Sequence, residues 1–147
     1  MDDSQRPITE REKIDCMETM MEWTVKEEEI DKMDHVNNCM YVIYLEKARK
    51  HWYQQAGASK DYLQQRNLGT AVLKLDVLFR KEARLGEQLM IRTKSDYLGN
   101  TSFVLKQTII NRDGELITEA IVTNVMFDRL KRNSTRVVKE ISRWFVE

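Results

Sequence analysis

The sequence predicts an α+β domain in which one antiparallel five-stranded sheet wraps a single long central helix, with a short helix closing the C-terminus. Three observations carry this. Apolar residues recur with a period of 3.6 from Asn38 to about Gln55; the period changes to 2 after residue 70; and turn signals at Arg84-Leu85-Gly86, Gly99-Asn100 and Asp113-Gly114 divide the chain beyond the helix into segments of strand length. One strand, one long helix and then consecutive strands is an α+β order.

Residues 1–13 are charged and hold the only proline, Pro7, and are expected to form a flexible N-terminal arm; residues 14–147 form one domain. The first strand spans residues 18–30, with Met21, Trp23 and Val25 on one face and an end near Glu29. The helix carries Tyr41, Tyr44, Leu45, Ala48 and Trp52 on one stripe, and Met40, Val42 and Ile43 widen it so that the first two turns read as buried nearly all round. Gly57 is placed to end it as the C′ residue. A short helix over Ser59 to Arg66 precedes a strand in which Ala71, Leu73, Leu75, Val77 and Phe79 alternate with Lys74, Asp76 and Arg80. Strands over 87–97, 102–111 and 115–127 come next, and the four together read as an antiparallel meander. The last is apolar on both faces, which puts it in the middle of the sheet. Val137, Val138, Ile141, Trp144 and Phe145 then form a small amphipathic helix behind the cap candidates Asn133 and Ser134.

Composition excludes several classes of function. Lys plus Arg and Asp plus Glu number 24 each, so no net field draws the chain to nucleic acid or to anionic lipid. Two cysteines, Cys16 and Cys39, do not make a disulfide scaffold, and the polar start is unlike a signal peptide, so a cytoplasmic location is the expectation. No apolar run reaches the roughly 18 residues of a membrane span.

Chemistry concentrates between residues 31 and 49, D-K-M-D-H-V-N-N-C-M-Y-V-I-Y-L-E-K-A-R, where acids, a histidine and two asparagines meet the start of the apolar helix. A helix N-terminus offers unpaired N–H groups and about half a positive charge, so an acid just upstream can act while those donors hold a developing oxyanion. That arrangement is a hydrolase's. A second account fits the same residues: Asp31, Asp34 and Asn37 also suit turn and N-cap roles, and His35 also suits a buried histidine bonded to a backbone carbonyl. Cys39 reads as a small residue beside the buried stripe rather than as a nucleophile. Asp31, Asp34 and His35 make a thin metal set, because His51 is the only other histidine and lies far along the helix, so no metal is expected. Arg129, Lys131, Arg132 and Arg136 form a basic loop that is either simply solvated or a local patch for phosphates.

The segment D31-x-x-x-H35-V-N-N-x-x-Y41, with L45-E46-x-A48-R49 after it, resembles the hotdog-fold acyl thioesterases, the group of 4-hydroxybenzoyl-CoA thioesterase, its acyl-CoA thioesterase relatives and the plant acyl-ACP thioesterases. The stretch V-L-F-R-K-E-A-R-L-G-E-Q-L (77–89) is similar to that family's second strand, turn and third strand, and the likeness covers roughly residues 18–130. Two positions depart from the family pattern: Asp34 stands where a glycine is frequent before the histidine, and Met33 stands where the acyl-ACP type has an asparagine.

The resemblance implies hydrolysis of an acyl-CoA thioester to free acid and CoA, with no cofactor beyond the coenzyme A of the substrate. It makes Asp31 the general base or nucleophile, the N–H of Asn38 the oxyanion donor, and His35 an orienting group. Asn37, Tyr41, Arg80, Lys81, Arg129 and Arg132 are the candidate substrate contacts. Acyl-ACP hydrolysis, or a non-catalytic acyl-thioester-binding module of the same fold, is the alternative. The family also implies a homodimer or homotetramer with two sheets joined edge to edge. Val72, Leu78, Val104 and Ile110 support this, since they read as apolar groups on the sheet face that the helix leaves open.

Overall fold

The apolar stripe of the long helix is what the sheet curls around, and the computed structural model, which describes residues 17–145, shows how. The elements in chain order are β1 (Glu18–Thr24), a 3-10 turn (Glu27–Glu29), α1 (Asn38–Ala56), α2 (Lys60–Gln65), β2 (Leu68–Phe79), β3 (Gln88–Leu98), β4 (Ser102–Asn111), β5 (Leu116–Asp128), β6 (Asn133–Ser134) and α3 (Lys139–Ser142). The arm expected over residues 1–13 lies outside the described residues. None of the described helices is long and apolar enough to cross a membrane.

The sheet order is β1-β3-β4-β5-β2, antiparallel throughout, with the short β6 added to β5. As the two-sided apolar pattern of residues 115–127 requires, β5 lies inside the sheet. The meander reading is corrected at its first strand: β3, β4 and β5 are consecutive neighbours, but β2 pairs with β5 and not with β3. Pairing β2 with β3 would leave β5, apolar on both faces, at an open edge; its pairing with β2 covers that edge instead.

Alternation along β2 is also broken. Its register with β5 shifts between Val72 and Lys74, so Leu73 is an extra residue at a bulge. Directly paired residues share a face. Val72 therefore sits with buried Asn124 on the helix side, not on the opposite face, and Ala71 sits with Val125 on the outer face, not with Leu75, Val77 and Phe79.

Three further expectations need correction. The first strand stops at Thr24, because Glu29 folds back so that its carboxylate accepts the Lys26 N–H at 2.8 Å. The start of α1 is not buried all round: Ile43 is 40% exposed and Cys39 is exposed, because the sheet reaches only one side of the helix. Asn133 and Ser134 pair as β6 with Asp128 and Phe127 and do not cap a helix; Val138 occupies the N-cap position of α3, a single turn that buries Ile141.

Tyr41, Tyr44, Leu45, Ala48 and Trp52 are all buried. They fall into two clusters: Tyr41, Tyr44, Leu45 and Ala48 pack with Leu89, Ile91, Ile109 and Ile117, while Trp52 packs with Phe103, Leu105, Met126, Ile141 and Phe145. A polar layer lies between them. Arg49, 6% exposed, donates from Nη1 to Gln107 Oε1 at 3.1 Å, and Gln107 Nε2 donates to the Leu45 carbonyl and to Thr93 Oγ1, each at 2.9 Å. Burial pushes the Arg49 guanidinium down from its ordinary value, so Gln107 serves a charge that the core itself does not favour.

Replacing Gln107 by Leu keeps the volume and strands three polar groups, and is expected to cost about 2–4 kcal/mol. The double variant Gln107→Leu with Arg49→Met should recover most of that loss. Urea unfolding measures both, and a single-variant loss below about 1 kcal/mol would show that the layer is not a stability device.

Candidate active site

The segment between β1 and α1 is a loop closed on itself. The Asp31 N–H donates to the His35 carbonyl at 2.7 Å and the Asp34 N–H to the Asp31 carbonyl at 3.2 Å. The Asp31 carboxylate, through Oδ1, accepts the N–H groups of Met33 at 2.9 Å and His35 at 3.2 Å. Asp34 lies at φ 61°, in the left-handed region that glycine adopts without steric cost. The departure from the family's glycine therefore has a backbone consequence, and Asp is among the few other residues that tolerate it.

Three main-chain links hold the loop against the rest of the fold. Val36 donates to the Ala83 carbonyl at 3.0 Å, Asn37 donates to the Glu29 carbonyl at 3.1 Å, and His35 forms an isolated antiparallel bridge with Arg84. The segment joining β2 to β3 thus runs beneath the start of α1, and Tyr41 fastens it there by accepting the Ala83 N–H at its hydroxyl, 2.9 Å away. Burial, with the carboxylates of Glu82, Glu87 and Asp31 nearby, pushes the Tyr41 hydroxyl up from its ordinary value. The Arg84-to-Glu87 turn needs its glycine, since Gly86 stands at φ 82° and donates to the Val25 carbonyl at 3.1 Å.

Asn37 is the N-cap of α1, its side chain accepting the Cys39 N–H at 3.0 Å. Asn38 is the first helical residue, and among the described residues its N–H has no acceptor. His35 Nε2 lies 3.0 Å from Glu82 Oε2, so the ring is turned toward the segment joining β2 to β3. The loop therefore presents an exposed carboxylate, an oriented imidazole and an open helix N-terminus together, which is the equipment for adding a nucleophile to a carbonyl. Among the described residues no three His, Cys, Asp or Glu side chains converge as a metal set.

Asp31, His35, Asn37 and Asn38 lie along this loop and the helix start, while Tyr41, expected as a substrate contact, is buried with its hydroxyl on the Ala83 N–H. Arg80 and Lys81 extend from β2 toward the same end of the molecule, but their head groups pair with Glu119, at 3.2 Å, and with Glu115. Such half-exposed pairs are worth at most about 1 kcal/mol, so a phosphate could displace them. Arg129 and Arg132 are elsewhere. They line an open cavity of about 500 Å³ with Asn67, Phe127, Leu130 and Asn133, at the Leu68 end of β2, whereas the loop lies at its Phe79 end. A strand of 12 residues separates the two places, about 35 Å at the usual rise.

Glu29 and Glu82 were not singled out by the sequence. Glu29 sits in the run Glu27-Glu28-Glu29, which reads as a solvated charge cluster, yet it is only 6% exposed. Its Oε1 accepts from Trp23 Nε1 at 3.1 Å, from the Lys26 N–H and from the Tyr44 hydroxyl at 2.9 Å. Burial pushes the carboxyl up, but these three donors and the Lys26 charge outweigh it and hold the group below its ordinary range. The Tyr44 hydroxyl is pushed strongly up by burial and by this carboxylate.

The same chain architecture recurs among known proteins. A model of the thioesterase-like superfamily matches residues 25–145. The acyl-CoA thioester hydrolase YbgC of Escherichia coli is 30% identical over 125 residues, covering 84% of this chain and 93% of that protein. The long-chain acyl-CoA thioesterase FadM of Escherichia coli is 28% identical over 100 residues, covering 67% and 75%. Among solved structures, the protein SAV2348 of Staphylococcus aureus, determined in complex with CoA, superposes with a TM-score of 0.83 at 18% identity, over 87% of this chain and 81% of that one. With the curled sheet, the central helix and this extent of sequence match, the chain belongs to the thioesterase-like superfamily, has the hotdog fold and is a thioesterase.

Proposed function

We propose that the chain hydrolyses acyl-CoA thioesters at the loop spanning Asp31 to Asn38. The observation that carries this reading is the exposed Asp31 carboxylate, held by two backbone N–H groups in a loop that ends at an N-terminus whose first N–H is open. The activity named for YbgC and FadM supports the substrate class. In this reading the thioester carbonyl oxygen approaches the Asn38 N–H, which together with the helix dipole stabilises the oxyanion. Asp31 takes a proton from the attacking water, or itself attacks to form a mixed anhydride that water then opens; the thiolate of CoA leaves in either case. His35, paired with Glu82, orients the substrate in this reading.

Asp31→Asn retains size and one acceptor oxygen, enough for the Met33 and His35 N–H groups, but loses the charge, and should lower kcat by about 10²–10⁴-fold with little change in stability. Thiol release from a panel of acyl-CoA substrates measures it. Near-normal turnover in the folded variant would remove Asp31 from the chemistry.

We further infer that the site is completed by a second copy of the chain. β2 is an edge strand, and Val72, Leu73, Leu78 and Phe79 along it are 46, 69, 53 and 47% exposed, an apolar edge that a lone subunit leaves in water. Two-fold antiparallel pairing of β2 with its copy would set the Leu68 end of one strand beside the Phe79 end of the other. The arginine-lined cavity of the partner then stands near the catalytic loop of the first chain, where the phosphates of CoA would need cations. Light scattering coupled to gel filtration should show a dimer or a higher even-numbered assembly of the 17.5 kDa chain at micromolar concentration. An active monomer would contradict the shared site.

A further inference from the structure

We propose that Glu29 is the positioning residue of the oxyanion donor, an inference that rests on the reading of Asn38 given above. The main chain and side chain of this one residue bind three of the segments that meet at the start of α1: the end of β1, the 3-10 turn and the helix with the residue before it. Its carbonyl accepts the N–H of Asn37, the residue immediately before the donor, at 3.1 Å. Its N–H donates to the Lys26 carbonyl at 3.0 Å, closing the 3-10 turn. Its carboxylate reaches β1 through Trp23, the turn through Lys26, and the second turn of α1 through Tyr44. Glu29 therefore fixes two points on α1, the residue before its first N–H and a ring on its second turn, relative to the end of β1. Two fixed points set both the height and the rotation of the helix start, and so the direction in which the Asn38 N–H points.

Packing alone does not account for a carboxylate here. Among the described residues Glu29 is the only acid buried below a tenth of its surface, and the Trp23 and Tyr44 rings beside it pack with the apolar core, with Lys26 and Lys47 over the outer side of Trp23. An apolar side chain would fill the space without the desolvation that a buried charge demands. What an apolar side chain cannot do is hold three donors from three segments at one atom. A charged acceptor makes shorter and stronger bonds than a neutral one, so the geometry it imposes is stiffer. Catalysis responds to that stiffness, since a displacement of about 1 Å in a catalytic group can cost on the order of 10² in rate.

The test measures steady-state kinetics and amide hydrogen exchange on the intact assembly for wild type, Glu29→Gln, Glu29→Ala and Tyr44→Phe. Glu29→Ala is expected to lower kcat about 10–100-fold, uniformly across acyl groups, with KM within about 3-fold, because the lost interaction matters in the transition state. Exchange should quicken over residues 36–40 while β3, β4 and β5 stay protected. Glu29→Gln, which keeps an acceptor, should restore most of the rate, and Tyr44→Phe, which removes a single donor and keeps the ring, should lower kcat by a smaller factor; it also serves if Glu29→Ala does not fold. A folded Glu29→Ala or Tyr44→Phe protein with wild-type kcat and unchanged exchange over 36–40 overturns the proposal, as does a loss of protection spread evenly over the sheet. Quickened local exchange in Glu29→Ala, joined to an undiminished rate in Asp31→Asn, would leave the positioning role standing and reject the reading of the loop as the hydrolytic site.

Discussion

Burial of one stripe of α1 against the concave face of the sheet is the interaction on which the rest of this structure depends. Tyr44, Leu45 and Trp52 are fully buried, and each such side chain contributes on the order of 1.5–3 kcal/mol by leaving water. No other described helix exceeds six residues, so both core clusters hang from α1. The same packing sets the helical phase. Once Tyr41, Leu45 and Ala48 face the sheet, the side of the helix on which the first turn lies is set, and the bonds of Glu29 to Asn37 and Tyr44 then fix the start of the helix within it.

The two ends of α1 are treated differently. At the C-terminus Gly57, at φ 91°, turns the chain, and the Ala56 carbonyl receives Arg143 Nη2 at 3.0 Å and Trp144 Nε1 at 3.1 Å. A cation and a half-buried donor there complement the negative end of the dipole, so the C-terminal segment stabilises the helix. At the N-terminus the Asn37 side chain satisfies only the Cys39 N–H, and no acid stands in the first turn. The positive end is left open to a ligand. The proposed chemistry at Asn38 and the Trp52–Ile141 cluster thus lie toward opposite ends of the helix, with the Arg49–Gln107–Thr93 layer between the two halves of the core.

How much of this was legible depends on the kind of geometry each signal encodes. The stripe of α1, the short helix near residues 59–66 and the strands over 87–97, 102–111 and 115–127 were readable because periodicity and turn residues report local geometry directly. The pairing of β2 with β5 was not, since strand order depends on which edge must be covered, and no local pattern states it. The bulge at Leu73 was hidden by an apolar run, Ala71-Val72-Leu73, that satisfies either phase. Asp31, His35, Asn37, Asn38 and Tyr41 could be gathered in advance because they lie within eleven residues on one loop and one helix turn. Glu29 could not: a buried carboxylate inside a run of three glutamates looks like surface until its donors, Trp23 and Tyr44, are seen on either side. The separation of Arg129 and Arg132 from the loop likewise needed the length of β2 to be placed in space.

That separation makes the central claim, a hydrolytic loop served by the partner's arginines, open to one direct measurement. Asp31→Asn chains and Arg129→Ala/Arg132→Ala chains would each be prepared as homo-oligomers, mixed, and allowed to exchange subunits, with thiol release from an acyl-CoA monitored at low substrate concentration. In a mixed dimer one site carries both defects and the other carries neither, so random exchange of equal amounts should restore about a quarter of wild-type activity. Exchange verified by mass, with activity no higher than the average of the two parents, would contradict the shared site.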